Sequence, residues 1–184
     1  TKPHNPPFAR GPAGEHEARQ PRHLVFHPNL SIAYTPNERE QPGVGAWQWD
    51  TEQGQLTPMQ NIVTHPKGFT GSITTADLHL TPNAKYLYVS NRDITARFEP
   101  TGRDSIVGFQ VDPQNGQLKL ISHTPCERVP RSFTIDKLGK FLYVAGQTDN
   151  RLGAYRIEPN GTLKKIAQYE VGKGPIWVET LSLP

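Results

Sequence analysis

The chain has 184 residues, the size of one domain or of a piece of a larger one. Charged residues are 20% and aromatic residues 9%, which is too little charge and too much ring content for a disordered tail. The 16 Gly and 18 Pro have no G-X-Y period, so collagen is excluded and short strands joined by many turns are favoured over a helical bundle. The net charge of +3 is dispersed, with no like-charge block that would suit nucleic acid or a membrane surface.

Residues 1–20, TKPHNPPFARGPAGEHEARQ, contain no apolar stretch of the signal-peptide kind and match nothing later in the chain. They read as a linker or the remnant of an outer strand. No run approaches the ~18 apolar residues that would span a bilayer. The single cysteine, Cys126, excludes a disulfide framework and a cysteine-based zinc site. A cytoplasmic protein is the expectation.

From residue 21 the chain repeats itself. PRHLVFHPNLSIAYTPNE at 21–38, TADLHLTPNAKYLYVSNR at 75–92 and PRSFTIDKLGKFLYVAGQ at 130–147 align, and a fourth copy opens with PIWVETL at 175. The spacings are 54, 55 and 45 residues. Within each unit two short strands flank a tight turn (PNLS, PNAK, KLGK). An alternating strand follows (VGAWQWD, SIVGFQVD, LGAYRIE), then a turn with Gly54, Gly116 or Gly161, then one more strand. Four antiparallel strands repeated at this period predict an all-β propeller. The chain is expected to hold about three blades, 21–74, 75–129 and 130–174, plus the first strand of another at 175–184. It is expected to be the C-terminal half of a larger ring, so missing N-terminal blades or self-association should cover its end faces.

The hairpin geometry predicts a site. Residues equidistant from a turn lie side by side, which pairs Arg22 with Glu38, Asp77 with Arg92, and Arg131 with Gln147. All six then lie at the end of their hairpins away from the turn, and strand one of a blade lines the central channel. Arg22, His23, Glu38, Asp77, His79, Arg92 and Arg131 are thereby expected around one channel mouth. Such a set suits an anionic ligand and acid–base work, because guanidinium forks clamp phosphate and carboxylate. The alternative is a ring of salt bridges that only ties blades together. His79 and Asp77, two apart on a strand, share a face. His27, His65 and His123 are expected to be solvated near turns, Trp47, Trp49 and Trp177 to pack between blades, and no metal site is expected. The long segments 64–75 and 93–104 are placed over the mouth.

These residues resemble those of the lactonase-type 6-phosphogluconolactonases, seven-bladed propeller enzymes. The motifs are PRHLVFHPN at 21–29, Asn37-Glu38, GFTG at 68–71, ADLHLTP at 76–82, LYVSNR at 87–92, PRSFTID at 130–136 and VGKGPIWV at 171–178. PNEREQPGVGAW at 36–47 departs from the pattern by its extra Pro and Gly. The resemblance implies cofactor-free hydrolysis of a phosphorylated sugar lactone, 6-phospho-D-glucono-1,5-lactone, to 6-phosphogluconate in the pentose phosphate route. Glu38 is the first candidate for the base, His79 the second and His23 the third. Arg22 and Arg92 are candidate carbonyl and oxyanion donors, and Arg131 the candidate phosphate clamp. His23, Asp77 and Gln147 are expected to bind or orient. Two other readings remain: a 3-carboxy-muconate lactonizing enzyme of the same fold, and a non-catalytic propeller scaffold.

Overall fold

The structure, a computed structural model, describes residues 20–38, 42–95 and 103–181. Among the described residues twelve strands form three four-stranded antiparallel sheets. The first holds β1 (Val25–Phe26), β2 (Ile32–Asn37), β3 (Gly43–Asp50) and β4 (Gln55–Val63), in sequence order. The second holds β5 (Ile73–Leu80), β6 (Tyr86–Asp93), β7 (Ser105–Val111) and β8 (Leu118–Pro125), and the third β9 (Pro130–Ile135), β10 (Phe141–Gly146), β11 (Arg151–Ile157) and β12 (Leu163–Glu170). The all-β, blade-like architecture expected from the repeats is what the chain adopts. The remnant expected at 1–20 lies outside the described residues, apart from Gln20.

The turns follow from residue chemistry. Asp50, Asp112 and Asp136 each accept N–H bonds from residues two or more positions on, so the carboxylate closes the turn before the next strand begins. Gly116 has φ +67°, and a Cβ there would press on Ile32 and the Tyr34 hydroxyl of the neighbouring sheet. That close approach is used: Tyr34 donates its hydroxyl to the Gly116 carbonyl at 2.7 Å, and the equivalent Tyr88 donates to Gly161 at 2.9 Å. These two strand-two tyrosines thus hydrogen-bond to the last turn of the next sheet.

Apolar faces of successive sheets pack on one another. Ile32, Tyr34 and Val44 meet Leu78, Val89, Val107 and Phe109 between the first two sheets, and Tyr88 and Ile106 meet Phe133, Leu142, Val144 and Tyr155 between the second and third. Each such side chain contributes about 1.5–3 kcal/mol by leaving water. The outer pair of every sheet has a register shift at an equivalent place, Ala46/Trp47, Gly108/Phe109 and Ala154/Tyr155. Pro58 sits on edge strand β4 opposite the first of these, where a missing N–H is tolerated.

Several expectations change. The first inner strand is reduced to Val25–Phe26, with an isolated bridge between Pro21 and Asn37. Leu24 is 43% exposed, while its counterparts Leu78 and Phe133 are buried. Residues 175–181 form no strand but run beside β9, where the Val178 N–H reaches Ser132 Oγ at 3.3 Å and Thr180 Oγ1 reaches the Ile135 carbonyl at 3.2 Å. Trp177 is 63% exposed rather than packed between blades. Trp47 and Trp49 contact their own sheet, donating to Thr35 Oγ1 at 2.8 Å and meeting Phe26 at 5.4 Å respectively. His27 is buried, not solvated, because its Nδ1 accepts the N–H groups of Asn29 and Leu30 and holds the hairpin turn; burial lowers its pKa.

Candidate active site

The site lies at the end of the inner hairpins away from their turns, where the three sheets adjoin. Register places its residues differently from simple symmetry about each turn. The Arg22 N–H bonds to Pro36 O at 3.2 Å and the Glu38 N–H to Gln20 O at 3.1 Å, so Arg22 and Glu38 are diagonal neighbours, not opposite partners. In the second hairpin a bulge between Thr75 and Leu78 sets Arg92 opposite Thr74 and leaves Asp77 out of the ladder, its N–H donating to Ser90 Oγ at 3.0 Å. In the third, Pro130 pairs with Gly146 and Ser132 with Ala145, so Arg131 is the extra residue of a bulge. Gln147 then bonds through its N–H to Val129 O at 3.3 Å. Bulges of this kind re-aim side chains at functional edges.

The side chains meet across sheet boundaries. Arg92 Nη2 donates to Glu38 Oε1 at 2.6 Å and to the Thr75 carbonyl at 3.0 Å. Arg22 Nη1 donates to the Ala76 carbonyl at 2.9 Å and to His23 Nε2 at 3.0 Å. His23 Nδ1 lies 2.7 Å from Asp77 Oδ1. The other Asp77 oxygen, Oδ2, accepts the Phe133 N–H at 3.2 Å from the third sheet. His79 Nε2 stands 3.4 Å from the same oxygen, an ion-pair distance without hydrogen-bond geometry, and its ring meets Phe133 edge-on at 4.8 Å. Asp77 therefore joins all three sheets.

Electrostatics bring the third arginine in. The Arg22 pKa is lowered, first by burial and then by the positive charges of Arg131 and Arg92, with Glu38 and Asp77 opposing. Three guanidiniums from three successive sheets share one field. Burial would raise the Asp77 carboxyl, but His79, His23 and the Phe133 N–H outweigh it, and its pKa falls below 3.8. Asp77 is thus an ionised, hydrogen-bonded anchor between the sheets. Among the described residues no group of three or more His, Cys, Asp or Glu is arranged to hold a metal ion.

Around this end the two long segments are clasped together. Arg103 pairs with Asp93 at 2.6 Å, donates to Thr70 O at 3.0 Å and stacks on Phe69 at 4.7 Å. A 360 Å³ cavity opens there, among Pro42, Phe69, Ser72, Thr74 and Ile94. Residues 96–102 of the second segment lie outside the described residues. Sequence reasoning missed Arg103, Ser90 and the backbone acceptors of Thr75 and Ala76. His123 is half-buried on β8 with its pKa lowered by burial, and Cys126 is half-buried, with desolvation and the charges of Glu127, Asp104 and Asp149 holding it as a thiol.

Four-stranded antiparallel sheets packed face to face in this way define a β-propeller. The family described as Lactonase, 7-bladed beta-propeller, matches residues 15–180, and the chain belongs to it. The 6-phosphogluconolactonase of Pectobacterium carotovorum subsp. carotovorum is 39% identical over 164 residues, 89% of this chain and 46% of that protein. The 6-phosphogluconolactonase of Yersinia pestis is 38% identical over 160 residues, 86% of this chain and 45% of that protein. Among solved structures, the periplasmic gluconolactonase of Pseudomonas aeruginosa superposes with a TM-score of 0.75 at 29% identity, covering 85% of this chain and 41% of that one. A protein from Lactobacillus plantarum gives a TM-score of 0.79 at 26% identity, covering 90% and 46%. The chain spans about half the length of the curated relatives it matches. No helix among the described residues is long and apolar enough to cross a membrane.

Proposed function

We propose that this chain forms part of a lactone hydrolase that converts 6-phospho-D-glucono-1,5-lactone and water to 6-phosphogluconate in the cytoplasm, without a cofactor, as a step of the pentose phosphate route. The observation that supports the reading is that Arg22, Arg92 and Arg131, from three successive sheets, are close enough for the charges of the last two to act on the first. With Glu38 and Asp77 ionised, three positive charges face two negative ones, which leaves a net attraction for an anionic substrate. The names of the Pectobacterium and Yersinia relatives support the substrate class.

Arg22 and Arg92 donate to the lactone carbonyl, whose oxygen gains charge as water adds; donors fixed in advance stabilise that charge most. Arg131 takes the phosphate as a two-pronged fork. Glu38 accepts the proton from the attacking water, and its ion pair with Arg92 aims it. His23, Asp77, His79 and Gln147 line and orient the site. The proton returns to the ring oxygen as the ester bond breaks, so the products are a hydroxyl and a carboxylic acid, which releases its remaining proton to solvent and leaves as the carboxylate.

The test is Glu38→Gln in the full-length protein, assayed on the phosphorylated lactone. Turnover is expected to fall by about 10²–10⁴-fold, the usual worth of a general base. Near-normal turnover would remove Glu38 from the role and pass it to His79.

A further inference from the structure

We propose that Asp77 and His23 are positioning residues that form a pH-sensitive relay, Asp77–His23–Arg22, in which the tautomer of His23 decides whether Arg22 is held toward the mouth. The proposal rests on the lactonase reading only for what Arg22 is held toward. The relay itself follows from donors and acceptors.

A guanidinium has only donors, so His23 Nε2, 3.0 Å from Arg22 Nη1, must accept. A neutral imidazole that accepts at Nε2 carries its proton on Nδ1. That proton has an acceptor ready, since Nδ1 is 2.7 Å from Asp77 Oδ1. Asp77 cannot swing away: it is 2% exposed, its Oδ2 accepts the Phe133 N–H at 3.2 Å and its Oδ1 also accepts the Leu78 N–H at 3.0 Å. A fixed carboxylate therefore fixes the ring, and the ring fixes the arginine. Among the described residues the Arg22 head has one other hold, the Ala76 carbonyl at 2.9 Å.

Protonation of His23 turns both ring nitrogens into donors. The Nδ1–H bond to Asp77 then strengthens, while Nε2–H confronts the Arg22 N–H and the two cations repel. Arg22 keeps only the Ala76 carbonyl and is released from its aim. The charged groups that bear on this step are Asp77 and His79 on β5, Arg92 on β6, Glu38 after β2 and Arg131 on β9. Arg22, Arg92 and Arg131 oppose the added charge, and Asp77 and Glu38 favour it. Acid that protonates His23 therefore lowers kcat/KM.

Two variants separate the relay from a packing role. His23→Gln places a side-chain oxygen near the Nε2 position, where it accepts from Arg22 but does not titrate. His23→Asn places its amide near Nδ1, reaches Asp77, and offers Arg22 nothing. In the full-length protein, His23→Asn is expected to lose about 10²-fold in kcat/KM, the scale of a misplaced catalytic group. His23→Gln is expected to lose less, and its acid limb to flatten. A long-range ¹H–¹⁵N spectrum of histidine-labelled protein, assigned with His23→Gln, reads the tautomer without any turnover. The proton is expected on Nδ1 and a bare nitrogen at Nε2. A proton on Nε2 in the neutral ring, equal losses in the two variants, or an acid limb unchanged in His23→Gln overturns the relay. Absence of hydrolysis by the unaltered protein overturns the lactonase reading instead, and the tautomer then decides the relay alone.

Discussion

Glu38 and Arg92 occupy equivalent positions in two successive repeats, 54 residues apart, and their side chains meet at 2.6 Å. The same offset joins His23 to Asp77 and Arg22 to Ala76. A repeat that stacks as blades brings like positions together across the boundary. The site is therefore assembled between blades, and Arg22, His23, Glu38, Asp77 and Arg92 each have a hydrogen-bond partner one repeat away.

This pairing has a consequence for stability. The Arg92 side chain is 8% exposed and that of Glu38 29%, so the arginine depends on the carboxylate for charge balance. Glu38→Gln keeps an acceptor but removes the charge, leaving a buried guanidinium under-compensated at a cost of ~1–3 kcal/mol. The full-length variant should melt at a lower temperature as well as turn over slowly. A melting temperature equal to the parent's would show that solvent, not Glu38, balances Arg92.

The blades were legible in the sequence because period, turn glycines and alternation all act locally. Gly54, Gly116 and Gly161 have φ between +67° and +81°, as their place in tight turns requires. The inner pairings were not legible. Asp77 and Arg131 each occupy a bulge, and one added residue defeats any count from the turn. Hairpin symmetry therefore gave Glu38 the partner Arg22, whereas the offset of one repeat points to Arg92. His27 was misread because its turn-holding bonds depend on backbone N–H groups that no side-chain motif announces. Arg103 escaped notice for a related reason: Thr70 lies 33 residues away, in a segment outside the repeat.

Arg131 offers a test of substrate recognition. It stands at a bulge that begins β9 and shares a field with Arg22. If it clamps phosphate, Arg131→Ala raises KM for the phosphorylated lactone with little change in kcat. The same variant should leave kinetics on unphosphorylated gluconolactone as they were. Equal losses on both substrates would place Arg131 at the carbonyl instead.

Behind the site the third sheet makes room for a buried acid. Glu127 has no exposed side-chain area, accepts the Tyr155 hydroxyl at 2.8 Å and pairs with Lys165 at 2.7 Å. Its carboxylate lies against Gly153, where a Cβ would overlap it. Gly153→Ala must push the acid from both partners, and overpacking of this kind costs ~1–3 kcal/mol. Gly172 has open space around it, so Gly172→Ala should stay within ~0.5 kcal/mol. Denaturant titration of the two variants checks the contrast, and equal stabilities would mean that Glu127 relaxes freely.

Two buried carboxylates should respond to pH with opposite sign. Asp77 and Asp104 are each 2% exposed. Burial alone would raise Asp77, but the nearby His79, the His23 bond and the Phe133 N–H depress it below 3.8. Its contribution to stability is therefore complete above about 3.8 and fades as pH falls through the lower folded value. Asp104 is raised, with burial the leading cause and Asp93 adding repulsion, while the N–H groups of Asp93 and Val129 and the charge of Arg128 oppose it. Its ionised form is penalised at neutral pH, and the fold gains stability as pH drops through the raised value toward 3.8. Asp104→Asn keeps an acceptor oxygen without the charge, so it should raise the melting temperature at pH 7 and lose that advantage on acidification. Asp77→Asn should lower the melting temperature at pH 7, because it removes the anion to which His23, His79 and Phe133 point, and its deficit should shrink only below about pH 4. Melting curves of both variants and the parent from pH 3 to pH 8 decide the matter. Shifts of the same sign at pH 7 would mean that hydrogen bonding, and not desolvation, governs Asp104.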